Sequence, residues 1–257
     1  MIYLFDEWRN IKKKLTGKNI FLFLDYDGTL ASIADHPDKA VLSDKVRDIL
    51  NKVVNNRRFK VAVISGRSLE DIKIRVGIKD IIYSGNHGLQ IDGPLFKFEN
   101  NIATAYKALL DKIKKELHDA LSGYSAVFIE DKKLTLTIHY RLAGKEHIAG
   151  IIEVIDKTIS VYRSTGAIEV RGGKMIVEIF PPGKWNKGSA VLWILSRPEF
   201  AKNDFYPVYF GDDITDEDAF EALRNRGLTV LVGARDRSQA QYYLADVEEM
   251  GKFAELL

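Results

Sequence analysis

The stretch Ile20-Phe21-Leu22-Phe23-Leu24-Asp25-Tyr26-Asp27-Gly28-Thr29 decides how the chain is read. An unbroken apolar run stops abruptly at a carboxylate, a pattern that suits a strand buried on both faces of a parallel sheet. Val61-Ala62-Val63-Ile64 repeats it and ends at Ser65. Val208-Tyr209-Phe210 ends at Gly211-Asp212-Asp213, and Leu228–Val232 is a further run of the same kind. Helical patterns lie between the runs. Within 43–56, Val46, Ile49, Leu50, Val53 and Val54 fall on one helical stripe, and further helices are expected near Ser68 and Gly188. Strand–helix alternation of this kind predicts an open α/β structure, a parallel sheet with helices on both faces.

From about residue 100 the pattern changes. Tyr106, Leu109, Leu110, Ile113 and Leu117 form a helical stripe. Two strand-like runs, 124–130 and 134–140, flank Asp131-Lys132-Lys133 as in a hairpin. Ile148, Ile151, Ile152, Ile155 and Ile159 repeat the helical spacing, and two more runs, 167–171 and 174–180, are split by Gly172-Gly173. Helix, two strands, helix, two strands is a compact α+β unit, and Pro181-Pro182-Gly183 marks its exit. The expected organisation is a core of residues 1–99 and 182–257 interrupted by a second domain, residues 100–181.

Composition narrows the function. The chain has 257 residues, 46% hydrophobic and 29% charged, with a formal net charge of +2. That balance supports a sizeable buried core and gives no reason to expect a nucleic-acid or membrane partner. The absence of cysteine excludes disulfides, thiolate metal sites and a cysteine nucleophile. The N-terminal MIYLFDEWRNIKKK carries acids where a signal peptide is basic, and no run of about 20 apolar residues occurs. A cytoplasmic protein is expected, acting as a monomer on a small molecule.

Three polar clusters follow three apolar strands, where ligands of open α/β sheets bind. In the first, Asp25 and Asp27 can serve one reaction. One carboxylate attacks phosphorus, and the other protonates the leaving oxygen and later deprotonates water. A plainer reading is a polar turn with an Asx-type hydrogen bond. In the second, Ser65-Gly66-Arg67-Ser68, a hydroxyl, a glycine amide and a helix start make an anion site, or only a helix cap at Ser68. The third, residues 211–218, holds five acids in seven positions. Oxygen ligands of this type suit magnesium (Mg2+). Thr215 would then cap a helix whose first turn holds Asp216 to Asp218, leaving Asp212 and Asp213 as the better metal candidates. Lys187 precedes the helix leading to this cluster, where it can hold a phosphate oxygen or simply be solvated.

Taken together, Asp25-x-Asp27-Gly28-Thr29, Ser65, Lys187 and Gly211-Asp212-Asp213 resemble, in order, the motifs of the haloacid dehalogenase superfamily of phosphotransferases. The resemblance implies a Rossmann-like parallel-sheet core with an inserted α+β cap domain. It implies Asp25 as nucleophile and Asp27 as general acid and base. It implies magnesium held by Asp25, the Asp27 backbone carbonyl and Asp212, with Asp213 and Asp216 in support. Ser65, Gly66 and Lys187 would hold phosphate. A narrower resemblance is to trehalose-6-phosphate phosphatases. It rests on residues 23–30, Ser65-Gly66-Arg67, Ser84-Gly85-Asn86-His87-Gly88 and Gly211-Asp212-Asp213-x-Thr215-Asp216-Glu217-Asp218. Lys174-Met175-Ile176-Val177-Glu178-Ile179 is similar to that family's sugar-contacting strand, although Phe180 stands before Pro181 where the family often has arginine.

The phosphate chemistry is common to many esters, so selection of the sugar is expected from Arg141, Lys174 and Glu178 on the cap and from Arg67, Asn86 and His87 on the core. Sucrose 6-phosphate, mannosyl-3-phosphoglycerate, a phosphomutase reaction and a non-enzymatic phospho-acceptor switch remain open alternatives.

Overall fold

A computed structural model describes every residue except Asp35, Lys174, Asp236 and Leu257, and of Ala103 and Thr104 only the backbone. The chain forms two compact units, Met1–Phe98 with Trp185–Leu257, and Glu99–Lys184.

The first unit is built on a nine-stranded sheet. Its centre is the strand Ile20–Leu24, flanked in parallel by Phe59–Ile64 on one side and Tyr206–Gly211 on the other. The unbroken apolar runs have the predicted cause. Ile20, Leu22 and Leu24 face one core, with Val61, Val63, Val208 and Phe210. Phe21 and Phe23 face a second, with Ala62, Ile64 and Tyr209. Both faces of the central strand are therefore dry, and each fully buried Leu or Phe contributes about 1.5–3 kcal/mol. Outward from Tyr206–Gly211 lie Leu228–Val232, Tyr242–Leu244 and the short N-terminal Ile2–Tyr3, all parallel. Beyond Phe59–Ile64 lies Ile82–Gly85, also parallel. The sheet then reverses: Gln90–Gly93 pairs antiparallel to it, and Phe96–Glu99 is the edge. The sheet is thus mostly parallel with an antiparallel margin that the sequence pattern did not foretell.

Helices start where expected. Ser43 caps Asp44–Asn55 by accepting from Val46 N–H, and Ser68 caps Leu69–Val76 by accepting from Asp71 N–H. Caps of this kind are worth about 1 kcal/mol each. At the two points where the chain crosses the unit boundary, Phe98 and Trp185 stack with ring centroids 4.8 Å apart.

In the second unit, four antiparallel strands run in the order Phe128–Asp131, Leu136–His139, Ile176–Phe180, Glu169–Gly173. The helices Lys107–Ala120 and Lys145–Ser164 supply Leu110, Ile113, Leu117, Ile151, Ile155 and Ile159 to a core with Leu136, Ile138 and Ile179. One expectation fails here. Gly172 and Gly173 are not the turn but part of the strand, opposite Val177 and Ile176. The reversal falls just after them, and Met175 takes the left-handed conformation with φ 65°. No helix among the described residues is long and apolar enough to cross a membrane.

Candidate active site

Parallel pairing sets the carboxyl ends of three strands side by side, so Asp25, Ser65 and Gly211-Asp212 emerge together although they are distant in sequence. The strand Ile20–Leu24 is a switch point, since the chain continues on one side of it and returns on the other. Asp25 N–H donates to the Phe210 carbonyl at 2.9 Å, the last rung before the loop opens. Tyr26 then turns inward: its ring is fully buried, and its hydroxyl donates to the Ala40 carbonyl. Anchoring this middle residue fixes the turn that carries Asp25 and Asp27 on either side of it.

Gly28 has φ 86°, which only glycine adopts without strain. A Cβ there would lie 2.2 Å from Oδ2 of Asp212. The third cluster therefore rests directly on the backbone of the first.

Asp25 is buried and accepts a hydrogen bond from Lys187 Nζ at 2.8 Å. The same Nζ donates to Oδ1 of Asp216 at 2.8 Å, and the Tyr209 hydroxyl donates to that oxygen at 2.7 Å. The other oxygen of Asp216 accepts from the backbone N–H of Asp212 and of Asp213, at 3.1 and 3.0 Å. Burial and the neighbouring Asp216 charge push Asp25 well above the usual carboxylate range, against the pull of Lys187. Burial acts to lower the Lys187 ammonium, but the charges of Asp216 and Asp25 hold it protonated, above its ordinary value. Burial, then Asp216, raises Tyr209 well above its ordinary value, so its phenol remains a donor.

Among the described residues, one carboxylate group has metal-like spacing: Asp25, Asp212 and Asp216, with oxygens within 4.8 Å of one another. An all-oxygen set of this charge fits a hard divalent cation. Asp213, expected to hold the metal, is not in the group. Its carboxylate accepts from Ile214 N–H at 2.7 Å and forms a reciprocal capping box with Asp216 over the turn Ile214–Asp216. The cap is thus Asp213 rather than Thr215, because the turn starts earlier than the sequence implied. The Asp27 side chain is also outside the group. Its two oxygens meet Arg67, Nε at 2.7 Å and Nη2 at 2.6 Å.

The second cluster is organised by backbone. Asn86 N–H donates to the Arg67 carbonyl at 2.7 Å, and His87 N–H to the Ser65 carbonyl at 3.0 Å. The two turns are thereby clasped together, with Asn86 and His87 both at positive φ. Gly66 is needed for this closeness, since a Cβ would meet the His87 ring at 2.5 Å. Ser65 is buried, and its hydroxyl accepts from Arg67 N–H. Asn86 donates from its amide to Gln90 at 3.2 Å. The Gly88 carbonyl accepts from the Trp185 indole at 2.7 Å, which fixes the entry to the helix Lys187–Leu195. Trp185 and Tyr209 are contributors that sequence reading missed.

The family model for trehalose-phosphatase matches residues 23–248. The chain belongs to the trehalose-phosphatase family. It is 33% identical over 267 aligned residues to trehalose-phosphate phosphatase B of Arabidopsis thaliana, covering 99% of this chain and 69% of that one. The structure of the C. albicans trehalose-6-phosphate phosphatase C-terminal domain superposes with a TM-score of 0.84 at 26% identity, covering 99% and 97% of the two chains. A haloacid dehalogenase-like hydrolase from Bacteroides thetaiotaomicron shares the fold, with a TM-score of 0.65 at 15% identity over 93% of this chain and 99% of its own. The resemblance to the trehalose-phosphatases read from the motifs is borne out, as is the α/β fold class, which the haloacid dehalogenase-like hydrolase shares.

In this trehalose-phosphatase relative, the expected sugar-selecting residues of the second unit have distinct surroundings. Glu178 alternates with Val177 and Ile179 and so faces away from the two helices. It is nonetheless buried, accepting from Lys132 Nζ at 3.0 Å and Thr137 Oγ1 at 3.1 Å. Arg141 sits in the turn after Leu136–His139. Lys174 lies outside the described residues.

Proposed function

We propose that this chain is a magnesium-dependent phosphoric monoester hydrolase that converts trehalose 6-phosphate to trehalose and phosphate through a phosphorylated Asp25. The observation carrying this reading is the buried Asp25 carboxylate, held by Lys187 at a strand end beside Asp212. A buried carboxylate with one oxygen fixed by a cation presents the other in a set direction, which is what in-line attack on phosphorus requires. Membership of the trehalose-phosphatase family supports the choice of ester.

In the first half, an Asp25 oxygen forms a bond to phosphorus while the bond from phosphorus to the sugar oxygen breaks. Asp27 gives that oxygen a proton. In the second half, Asp27 takes a proton from water, the water oxygen bonds to phosphorus, and the acyl phosphate linkage breaks to restore Asp25. Lys187 offsets the repulsion between the Asp25 carboxylate and the phosphate dianion, and Ser65 and the Gly66 amide would hold phosphate oxygens. Magnesium, held by Asp25, the Asp27 carbonyl and Asp212, would supply further charge neutralisation. Asp216 plays a supporting part, because four donors occupy its carboxylate, which has about four acceptor sites. Glu178 and its partner Lys132 offer fixed acceptor and donor groups of the kind neutral sugar hydroxyls need, and Arg141 and Lys174 are assigned to the same task from the sequence alone.

The test is phosphate release from trehalose 6-phosphate, sucrose 6-phosphate and mannosyl-3-phosphoglycerate, with magnesium and with chelator. Preference for trehalose 6-phosphate, abolished by chelation, is expected. Equal turnover of the three esters would discard the substrate assignment, and release that chelation leaves intact would discard the metal.

A further inference from the structure

The sequence pattern points Arg67 at the sugar, but its surroundings give it a different role. We infer that Arg67 is the positioning residue for Asp27, a rigid clamp that sets the orientation of the acid–base carboxylate. The inference rests on the reading of Asp27 as general acid and base.

Two parallel bonds run from the guanidinium to the Asp27 carboxylate, Nε to Oδ2 at 2.7 Å and Nη2 to Oδ1 at 2.6 Å. A two-pronged contact of this kind fixes both the plane and the rotation of a carboxylate. A single bond would leave Asp27 free to swing. The clamp is itself held. Nη1 donates to Asp71 at 2.8 Å, and Nη2 donates also to the Pro37 carbonyl at 2.8 Å. Four of the five N–H donors of Arg67 are thus engaged within the protein. Its guanidinium also lies over the buried Tyr26 ring, 5.4 Å from the centroid.

The far end of the chain of contacts is anchored too. Arg75 Nε reaches both oxygens of Asp71, at 2.9 and 2.8 Å, and Arg75 Nη2 reaches Asp38 at 2.9 Å. Main-chain bonds lock Arg67 at its base, its N–H to the Ser65 hydroxyl and its carbonyl to Asn86 N–H.

Asp27 presents a different picture. Its side chain is 39% exposed, whereas that of Arg67 is 8% exposed. The pair therefore has a buried, immobile half and a half that faces solvent. The guanidinium takes one acceptor position on each Asp27 oxygen, and the carboxylate keeps others for the leaving oxygen and the attacking water. A lysine, a single point of charge, cannot reproduce this geometry.

The experiment is a double-mutant cycle on phosphate release from trehalose 6-phosphate, with Arg67→Met, Asp27→Asn and both together. A displacement of about 1 Å at a catalytic group costs about a hundredfold. Arg67→Met should accordingly lower kcat by about that factor with KM within about twofold, and should have almost no further effect on the Asp27→Asn chain. Arg67→Lys should not restore kcat. Asp71→Asn, which frees the far side of the guanidinium, gives a second route if Arg67→Met does not fold. It should lower kcat in the unaltered chain and not in Asp27→Asn.

A rise in KM with kcat kept would overturn the inference in favour of a sugar contact. Losses that multiply across the cycle would overturn it in favour of a purely structural role. If Asp27→Asn slows turnover and Arg67→Met does not, the proposed chemistry stands and the clamp alone is refuted. If Asp27→Asn turns over normally, the acid–base reading of Asp27 fails and the clamp with it.

Discussion

Nζ of Lys187 lies 2.8 Å from Oδ1 of Asp25, across a sequence separation of 162 residues. Both side chains are buried, and the same ammonium also meets Asp216. One lysine charge stands here against the carboxylates of Asp25, Asp212 and Asp216. The excess is negative, and a divalent cation has the charge to offset it.

Removing the Asp25 carboxylate removes the proposed nucleophile while keeping the volume. Asp25→Asn should lower phosphate release by at least about a thousandfold, as expected for loss of a covalent nucleophile. Mass spectrometry of the quenched unaltered chain should reveal a phosphorylated species that the variant lacks. Turnover by the variant above a few per cent of the original would refute the covalent scheme.

Lys187→Met addresses stability and chemistry together. Breaking a buried ion pair by deleting one partner strands the other charges, at a cost of about 3–5 kcal/mol. Urea unfolding of the variant should show a loss of that order, together with loss of turnover. An unchanged midpoint would mean that Asp25 and Asp216 are compensated by some other group.

Cation binding should be visible without any substrate. A ligand present at about a hundred times its Kd stabilises the folded state by about 2.7 kcal/mol. Magnesium should therefore raise the melting temperature, and Asp212→Asn should abolish the rise. The same variant relieves like-charge repulsion, so its metal-free form should melt no lower than the metal-free original. A magnesium-induced rise that survives Asp212→Asn would place the ion elsewhere.

Asp71 links stability to pH. Burial acts to raise its pKa, but hydrogen bonds from Arg75 and Arg67 outweigh burial and hold it below the ordinary value of 3.8. A folded-state pKa below the unfolded one means stability that is fully present above the unfolded value and lost as pH falls through the folded one. The stability gap between the original and Asp71→Asn should be constant near neutrality and shrink below about pH 4. A gap that widens on acidification would contradict the ion-pair account.

Much of this was readable in the chain because its elements carry strong, local signals. Ile20–Leu24 has no polar position to make it ambiguous, and the acid that ends it marks the site. Ser68 and Ser43 cap their helices by the ordinary short-range rule. What escaped depends on partners supplied by the fold. Tyr209 sits inside an apolar run, and only the arrival of Asp216 gives its hydroxyl a partner. Gly172-Gly173 looks like a reversal, but pairing with Ile176–Phe180 draws both into an edge strand. Asp213 and Asp216 were separable in principle, since an acid three positions from an N-cap marks a capping box. The spacing of Arg67, Asp71 and Arg75 was likewise a helical i, i+4 signal of a charge network.

The stack of Phe98 on Trp185 has a consequence for ancestry. Two points far apart in sequence are held one ring's thickness apart, at centroids separated by 4.8 Å. Seen from the nine-stranded sheet, whatever is spliced between them is an appendix with adjoining ends. Such a segment can be lengthened, shortened or exchanged without shifting any residue around Asp25. One half of the molecule can thus be inherited intact while the other is rewritten, and a single way of cleaving phosphate esters can pass to descendants with new diets.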